Sequence, residues 1–269
     1  MATLSIETSD PSADRVVVEA PATFDAGEVE IELRNRGDML HDAQLFRVDG
    51  DRRAADVVSV LELADSAPKP AWLHPAGGVA ATGPGQTARV HQVLEPGTYY
   101  VADTQERDDP SGARSTNAAK RGIVRIEVGG SASGALPDTP ALITATDYDF
   151  ESSGIVAGSN QVTFRNAGRE IHQAVALPIP RGMPSAAGES WVLDAEVDTG
   201  WVPVDVPHSR ATAALDGGDE QVTEMTLSPG RYVLVCFVSD RKGGPAHLRR
   251  GMTAALTVQP EHTATADGG

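Results

Sequence analysis

Short runs of alternating apolar and polar residues recur along most of the chain. Examples are EVEIEL (28–33), TYYVAD (98–103), NQVTFRN (160–166) and TAALTV (253–258). A period of two is typical of strands that bury one face, and Gly and Pro separate the runs as turns do. The pattern therefore predicts an all-β protein.

The chain repeats itself at a spacing of about 130 residues. Each copy has a strand ending in Arg-Asn-x-Gly and followed by His, then a Leu-x-Pro-Gly-x-Tyr turn and strand, then a last strand that begins near Arg-Gly. The matched segments are 26–45 with 157–177, 93–103 with 226–236, and 120–128 with 249–258. Matches that keep one spacing along the chain indicate a duplicated domain rather than a short-period repeat.

Each copy has the length and strand content of a β-sandwich. Such sandwiches hold about seven short strands in about 100 residues, joined in a Greek-key order. We predict two tandem Greek-key β-sandwich domains, residues 1–133 and 139–269. The Gly-, Ser- and Pro-rich stretch VGGSASGALPDTP (128–140) is the predicted linker.

Charge and composition narrow the list of partners. The protein is acidic, with a formal net charge of -16, and phosphates would be repelled, so we expect no nucleic-acid partner. No run is long and apolar enough for a membrane span. No signal peptide is visible at the N-terminus. We expect a cytoplasmic protein if the chain is full length and an extracytoplasmic one if it is a mature or truncated form.

The only cysteine, Cys236, shares its copy with three further residues of metal-binding type. His172 follows the Asn-x-Gly turn, and His247 and Met252 follow the cysteine. Two imidazoles, one thiolate and a weak thioether are the ligands of a mononuclear blue-copper site. Taken singly, each has a simpler explanation, such as a buried apolar cysteine or a core methionine. Taken together, they predict a copper site.

The motifs resemble those of the cupredoxin family over nearly the whole chain. The resemblance rests on N-x-G-x-x-x-H, on L-x-P-G-x-Y-x-x-x-C and on the His-x4-Met ending. It implies a Greek-key β-sandwich fold and one type 1 copper ion in the C-terminal domain, with the metal ligands His172, Cys236, His247 and Met252. Small cupredoxins place the cysteine and the next histidine closer together than the ten residues FVSDRKGGPA allow. Copper nitrite reductases, which resemble this chain in having two such domains, also have a longer loop there.

The first copy is an internal control, because it lacks three of the four ligands. The matched pairs are His172 with His41, Cys236 with Asp103, His247 with Ala118 and Met252 with Ile123. We therefore expect copper only in the second copy. The first copy is expected to serve docking or packing, and His41 to be a relic or a hydrogen-bonding partner of the turn and backbone.

A single copper site predicts one-electron transfer rather than an enzyme. No His-x-His pair occurs, although the trinuclear centre of multicopper oxidases resembles a set of such pairs. The neighbours of Cys236 are Val235 and Phe237, whereas nitrite reductases carry a histidine beside the ligand cysteine. The expected partner is a redox protein, and the basic residues Arg241, Lys242, Arg249 and Arg250 form a candidate rim that would steer an anionic one.

Two other roles are compatible with the sequence. Both copies could be metal-free β-sandwiches that bind a structural protein partner or form a homo-oligomer. Alternatively, the same ligands could serve copper handling or storage, with a preference for Cu(I).

Overall fold

The computed structural model describes residues 1–108, 114–179 and 210–260. Strands dominate both halves, so the predicted all-β sandwich fold is confirmed. Within the described ranges, the helices are too short to cross a membrane. The domain boundaries at 1–133 and 139–269 stay a prediction, and residues 261–269 lie outside the described ranges.

The N-terminal half, residues 1–129, contains eleven strands and one helix among its described residues. The strands are β1 (Ala2–Ser12), β2 (Arg15–Glu19), β3 (Thr23–Asp25), β4 (Gly27–Asn35), β5 (His41–Val48), β6 (Leu73–Thr82), β7 (Thr87–Leu94), β8 (Gly97–Ala102), β9 (Glu106–Asp108), β10 (Arg114–Thr116) and β11 (Ile123–Gly129). The helix α1 (Ala54–Leu61), which the alternating pattern does not predict, lies between β5 and β6.

The C-terminal half, residues 141–260, repeats much of this order. Its strands are β12 (Ala141–Thr146), β13 (Asp149–Ser153), β14 (Gly158–Asn166), β15 (Val175–Pro178), β16 (Arg210–Ala211), β17 (Glu220–Leu227), β18 (Gly230–Val235) and β19 (Thr253–Val258). A single 3-10 turn, η1 (His247–Arg250), precedes β19.

The strands of both halves build three main sheets. An eight-stranded sheet has the order β13-β12-β14-β17-β7-β4-β1-β2 and therefore runs through both halves. A five-stranded sheet, β3-β11-β8-β5-β6, covers its N-terminal part, and a four-stranded sheet, β16-β15-β18-β19, covers its C-terminal part. The two sandwiches that the sequence predicts therefore share one continuous sheet. The halves meet where β7 pairs with β17, through Val90 with Thr223 and His91 with Val222.

Each half has its own apolar core between the paired sheets. On β4, Val29, Ile31 and Leu33 are fully buried and Glu30 is half-buried, as the period-two pattern predicts, whereas Glu32 is buried and paired with two arginines. The C-terminal core contains Phe164, Leu234 and Leu256, and also Cys236 and Met252. This core lies directly beneath the predicted metal ligands.

Candidate metal centre

An asparagine turn brings the first histidine into place. The Asn166 amide donates to the Glu170 and Leu215 carbonyls at 2.8 and 3.0 Å, and its oxygen accepts from the Gly168 N–H at 3.0 Å. His172 then exchanges two backbone hydrogen bonds with Leu215, at 3.0 and 2.9 Å. The turn and this short pairing fix the histidine backbone at the end of the sandwich.

The other predicted ligands all lie in the connection between β18 and β19. Cys236 directly follows β18, and His247 opens η1. The Leu248 N–H donates to the Cys236 carbonyl at 3.0 Å, and the Met252 N–H donates to the His247 carbonyl at 3.0 Å. The long loop therefore returns to the cysteine, and the predicted ligands share one end of the sandwich.

Three of the four predicted ligands converge on one point. Nδ1 of His172 and Nδ1 of His247 lie 3.8 and 3.5 Å from Cys236 Sγ and 3.1 Å from each other. All three residues are fully buried. Bonds to one ion of about 2.0 Å from nitrogen and about 2.3 Å from sulfur separate such atoms by about 3 to 4 Å. The spacing therefore fits ligands of a single metal ion.

Carboxylates fix the orientation of both imidazoles. His172 Nε2 is 3.3 Å from Asp147 Oδ1, and His247 Nε2 is 3.0 Å from Asp240 Oδ1. A neutral imidazole carries one N–H, and the carboxylate draws it to Nε2. Both Nδ1 lone pairs then face each other in a dry interior, which is unfavourable unless a cation lies between them. The donor set therefore fits a metal.

Burial disfavours a free thiolate at Cys236. Burial raises the pKa of the Cys236 thiol to about 11, although the backbone N–H groups of Gln173 and Val238 hydrogen-bond the sulfur and oppose the rise. Without a metal, the thiol is protonated at neutral pH. Metal binding must therefore release this proton, as at other thiolate sites.

Burial also keeps the imidazoles neutral. It lowers the pKa of His172 to about 4, against the opposing hydrogen bond to Asp147. The pKa of His247 is lowered for the same reason, with Asp240 opposing the shift. Neutral imidazole is the form that binds a metal, so both rings are ready to do so at neutral pH.

Met252, the predicted axial ligand, is fully buried in the same core cluster as Cys236. The β18–β19 pairing sets Val235 opposite Thr253, so Met252 lies one position further along, next to the cysteine. Its assignment as a ligand stays a prediction.

A second layer around His247 was not predicted from the sequence. Asp240 accepts from the Tyr148 hydroxyl at 2.9 Å and pairs with Arg250 at 2.7 Å. The Tyr148 ring packs T-shaped against His247, with centroids 5.3 Å apart. Tyr148 has a φ of 73°, a conformation that costs a non-glycine residue about 1–3 kcal/mol and is often found at functional sites. These residues cover the outer side of the imidazole.

The sequence carried one signal for the carboxylates. Asp147, beside His172, accepts from the Arg169 N–H at 2.8 Å. Asp10, beside His41, accepts from the Asp38 N–H at 2.8 Å. The two aspartates hold equivalent positions in the two halves. The sequences around them differ, so an alignment of the two copies does not reveal this correspondence.

The equivalent position in the N-terminal half is closed by hydrogen bonds. His41 Nδ1 is 2.5 Å from Asp103 Oδ2, and the Asn117 amide donates to the same oxygen at 3.0 Å. The N–H groups of Asp42 and Gln105 donate to Asp103 Oδ1, as those of Gln173 and Val238 do to the sulfur. His41 is therefore a buried partner of Asp103, rather than of the turn or backbone.

Two of the matched positions were assigned wrongly by one residue. Gly122 donates to the Asn117 carbonyl as Met252 does to that of His247, so Asn117 rather than Ala118 is the counterpart of His247. Strand pairing sets Ile123 opposite Ala102 and Thr253 opposite Val235, so Gly122 rather than Ile123 is the counterpart of Met252. Both copies contain Arg-Gly, but the two pairs are offset by one residue in the structure. Arg121 (φ 74°) holds the left-handed position that Gly251 (φ 91°) holds in the second copy.

The basic residues near His247 do not form one free rim. Arg250 pairs with Asp240 at the site, and Arg241 pairs with Asp216 of the same half and donates to the Leu73 carbonyl of the N-terminal half. The charges of Arg250 and Arg241 are therefore matched within the protein, so neither adds a free positive charge to such a rim.

No protein-family model matches this sequence, and no curated protein matches it. Among solved structures, auracyanin B is 25% identical with a TM-score of 0.29, and the match covers 48% of this chain and 96% of that one. Dithionite-reduced auracyanin from the photosynthetic bacterium Roseiflexus castenholzii is 23% identical with a TM-score of 0.30, covering 44% and 95% of the two chains. A Cu-containing nitrite reductase from Thermus scotoductus SA-01 is 12% identical with a TM-score of 0.23, covering 97% and 62%.

Proposed function

We propose that this protein transfers single electrons through one type 1 copper ion held in its C-terminal half. His172, Cys236 and His247 would hold the ion, and Met252 would be the fourth, weak ligand. The N-terminal half binds no copper. The protein exchanges electrons with another redox protein.

One observation carries this proposal. Three lone-pair donors of copper-binding type converge in a fully buried position, and both imidazoles have their Nε2 atoms committed to carboxylates. A structural cysteine or histidine needs no such convergence. Two imidazoles with a thiolate are the donor set of blue-copper sites.

The residues around the site supply what electron transfer needs. Bound copper would supply the one-electron redox couple. Asp147 and Asp240 hold the two rings, and the amides of Gln173 and Val238 hold the sulfur, so the ligands move little when the charge of the site changes. The buried ligands exclude water.

The same burial supports electron transfer over catalysis at the metal. The three converging ligands have no exposed surface, and Tyr148 packs over His247. A substrate would need an open coordination position, as at catalytic metal sites. An electron needs only close packing between the ligands and the protein surface.

The test is the visible spectrum after addition of Cu(II) to the wild type and to Cys236→Ser. We expect an intense thiolate-to-copper band in the wild type that is absent from the variant, because serine offers no thiolate. His91→Gln is the control: this partly exposed histidine lies on β7 outside the site, and the band is expected to stay.

The other outcomes separate the alternatives. Tight Cu(I) binding with a colourless Cu(II) form would favour copper handling and overturn electron transfer. Equal, weak copper retention by the wild type and Cys236→Ser would leave a metal-free double sandwich with a structural or binding role.

A further inference from the structure

The loop between the second and third ligands, residues 237–246, touches the other half of the molecule. Its inner side carries Asp240, which holds His247. Its outer side packs against the N-terminal half at residues 65–73.

Three hydrogen bonds, two of them between main-chain groups, tie the loop to residues 65–69. The Ser239 hydroxyl donates to the Asp65 carbonyl at 2.5 Å. The Lys69 N–H donates to the Arg241 carbonyl at 2.8 Å, and the Gly244 N–H donates to the Ser66 carbonyl at 2.9 Å. The loop donates two of these bonds and accepts the third. Together they fix the position of the loop along and against the N-terminal half.

The N-terminal segment that receives these bonds is itself braced. The Lys69 ammonium group donates hydrogen bonds to the Asp65 and Ala67 carbonyls, at 2.8 and 2.9 Å. A second turn bond joins the Ala67 N–H to the Ala64 carbonyl at 2.8 Å. The loop therefore rests on a rigid surface.

A chain of charged groups provides a second anchor. The Arg241 guanidinium donates to the Leu73 carbonyl at 3.2 Å and pairs with Asp216. His74 bridges the carboxyl groups of Asp216 and Asp49, at 2.9 Å each. The chain crosses from one half to the other and ends on the residue next to Asp240.

Adjacent residues of the loop thus face opposite ways. Ser239 and Arg241 bind the N-terminal half, and Asp240 between them binds His247. A shift of the loop against the N-terminal half must move Asp240 and turn the imidazole.

We propose that the N-terminal half is a positioning module of the metal centre, which sets the geometry of His247 through loop 237–246. This inference builds on the proposed copper site and assigns a role to the copy that lacks ligands. Outer-sphere partners of this kind change metal affinity about 10- to 100-fold when removed.

The first test is Gly243→Ala in the full chain. A Cβ at Gly243 (φ +81°) would lie 2.5 Å from the Ser66 carbonyl oxygen and 3.0 Å from Pro68 N, so the loop must lift from its support. Gly158→Ala is the matched control: Gly158 has a φ of +98° and open space around it, so it carries the strain without the collision. We expect Gly243→Ala to lower Cu(II) affinity about tenfold or more and to shift the reduction potential and the visible band.

The second test is Ser239→Ala, which removes the hydroxyl bond to Asp65. Its control is Ser59→Ala, which removes an exposed hydroxyl bond to the Ala55 carbonyl within α1. We expect the potential and the band to move in Ser239→Ala and to stay in Ser59→Ala. A merely structural role would lower the unfolding temperature without changing the reduction potential or the visible band.

The outcomes separate this inference from the copper proposal. If the wild type shows the thiolate band and both loop variants match their controls in affinity, potential and band, the positioning role is overturned while the copper site stands. If the wild type shows no band, the copper proposal fails, and amide hydrogen exchange of the metal-free protein decides. Faster exchange at Asp240 and His247 in Gly243→Ala but not in Gly158→Ala would then support positioning, and unchanged exchange would overturn it.

Discussion

At the scale of single residues, the two histidine-bound carboxylates differ in strength. Asp240 lies 3.0 Å from its imidazole with a side chain that is 12% exposed, while Asp147 lies 3.3 Å away and is 34% exposed. Asp240 also binds Tyr148 and Arg250. A less hydrated carboxylate at a shorter distance holds its ring more firmly, so the pair offers an internal comparison.

We expect Asp240→Asn to weaken Cu(II) binding about tenfold and Asp147→Asn to weaken it less. The asparagine keeps an acceptor but loses the charge that favours the N–H on Nε2. Competition titration with a chelator measures both affinities. Equal losses in the two variants would contradict the ranking of the carboxylates.

The buried histidines also predict how the metal-free protein responds to acid. His172 has a pKa of about 4 in the folded state and 6.5 when unperturbed. Between these values the unfolded chain binds a proton that the native state does not, so the free energy of unfolding falls as the pH is lowered through this window. One such group contributes a loss of about 3 kcal/mol at most, and His247 acts in the same direction.

Urea unfolding of the metal-free protein at neutral pH and at about pH 5 measures this loss. His172→Gln is the comparison, because the glutamine does not titrate. The raised pKa values of Asp42 (about 7) and Asp219 (about 6) work in the opposite direction, and both residues stay in the two proteins. Equal pH dependence in wild type and variant would show that His172 is not held neutral.

At the scale of elements, strand register rather than letter matching decides which residues of the copies correspond. The N-terminal counterparts of Cys236 and His247 are Asp103 and Asn117, and His41 is already present. The register of β8 with β11 and of β18 with β19 therefore gives a design rule for a second site.

We expect Asp103→Cys with Asn117→His to add a second thiolate-copper band to that of the wild type. Asp103→Cys alone, or combined with Ala118→His, is expected to add none, because Ala118 lies one position past the site. The Gly122 position is left unchanged, since a Cβ there would lie 2.7 Å from the Asn117 carbonyl oxygen. Copper stoichiometry and absorbance measure the result, and a second band in the Ala118→His combination would contradict the register.

The sequence predicted the strands and three converging ligands for simple reasons. Alternating runs such as that of β4 have to bury one face, and His172, Cys236 and His247 stand at matched points of the repeat. Helix α1 was not predicted, because the alternating pattern that identifies strands gives no signal for a helix. Asp147, Asp240 and Tyr148 were missed because their roles depend on loops that meet only in the folded chain.

At the scale of the whole molecule, the Gln44 side chain helps to join the halves. The buried Gln44 side chain accepts from the Ala214 N–H at 2.8 Å and donates to the Ala214 and Gly77 carbonyls at 3.0 and 2.9 Å. These bonds link β5 and β6 to the segment that pairs with His172. No sequence pattern marks Gln44, because its partners come from the other half.

We expect Gln44→Ala to destabilise the protein by about 1–3 kcal/mol, since buried backbone groups lose their partners. We also expect the unfolding of the two halves to separate into two steps. Calorimetry detects the second step, and Gln86→Ala, an exposed glutamine of a turn, is the control. A single transition with unchanged midpoint in Gln44→Ala would contradict this role.

The continuous eight-stranded sheet also bears on aggregation. A sandwich made of either half alone would leave the outer N–H and C=O groups of β7 or β17 open, and such edges pair readily with other chains. The joined sheet instead ends in β2 and β13, each five residues long and each carrying two charged residues. Short, charged end strands resist such pairing. The pairing of β7 with β17 thus covers part of two strand edges, and either half expressed by itself is expected to self-associate.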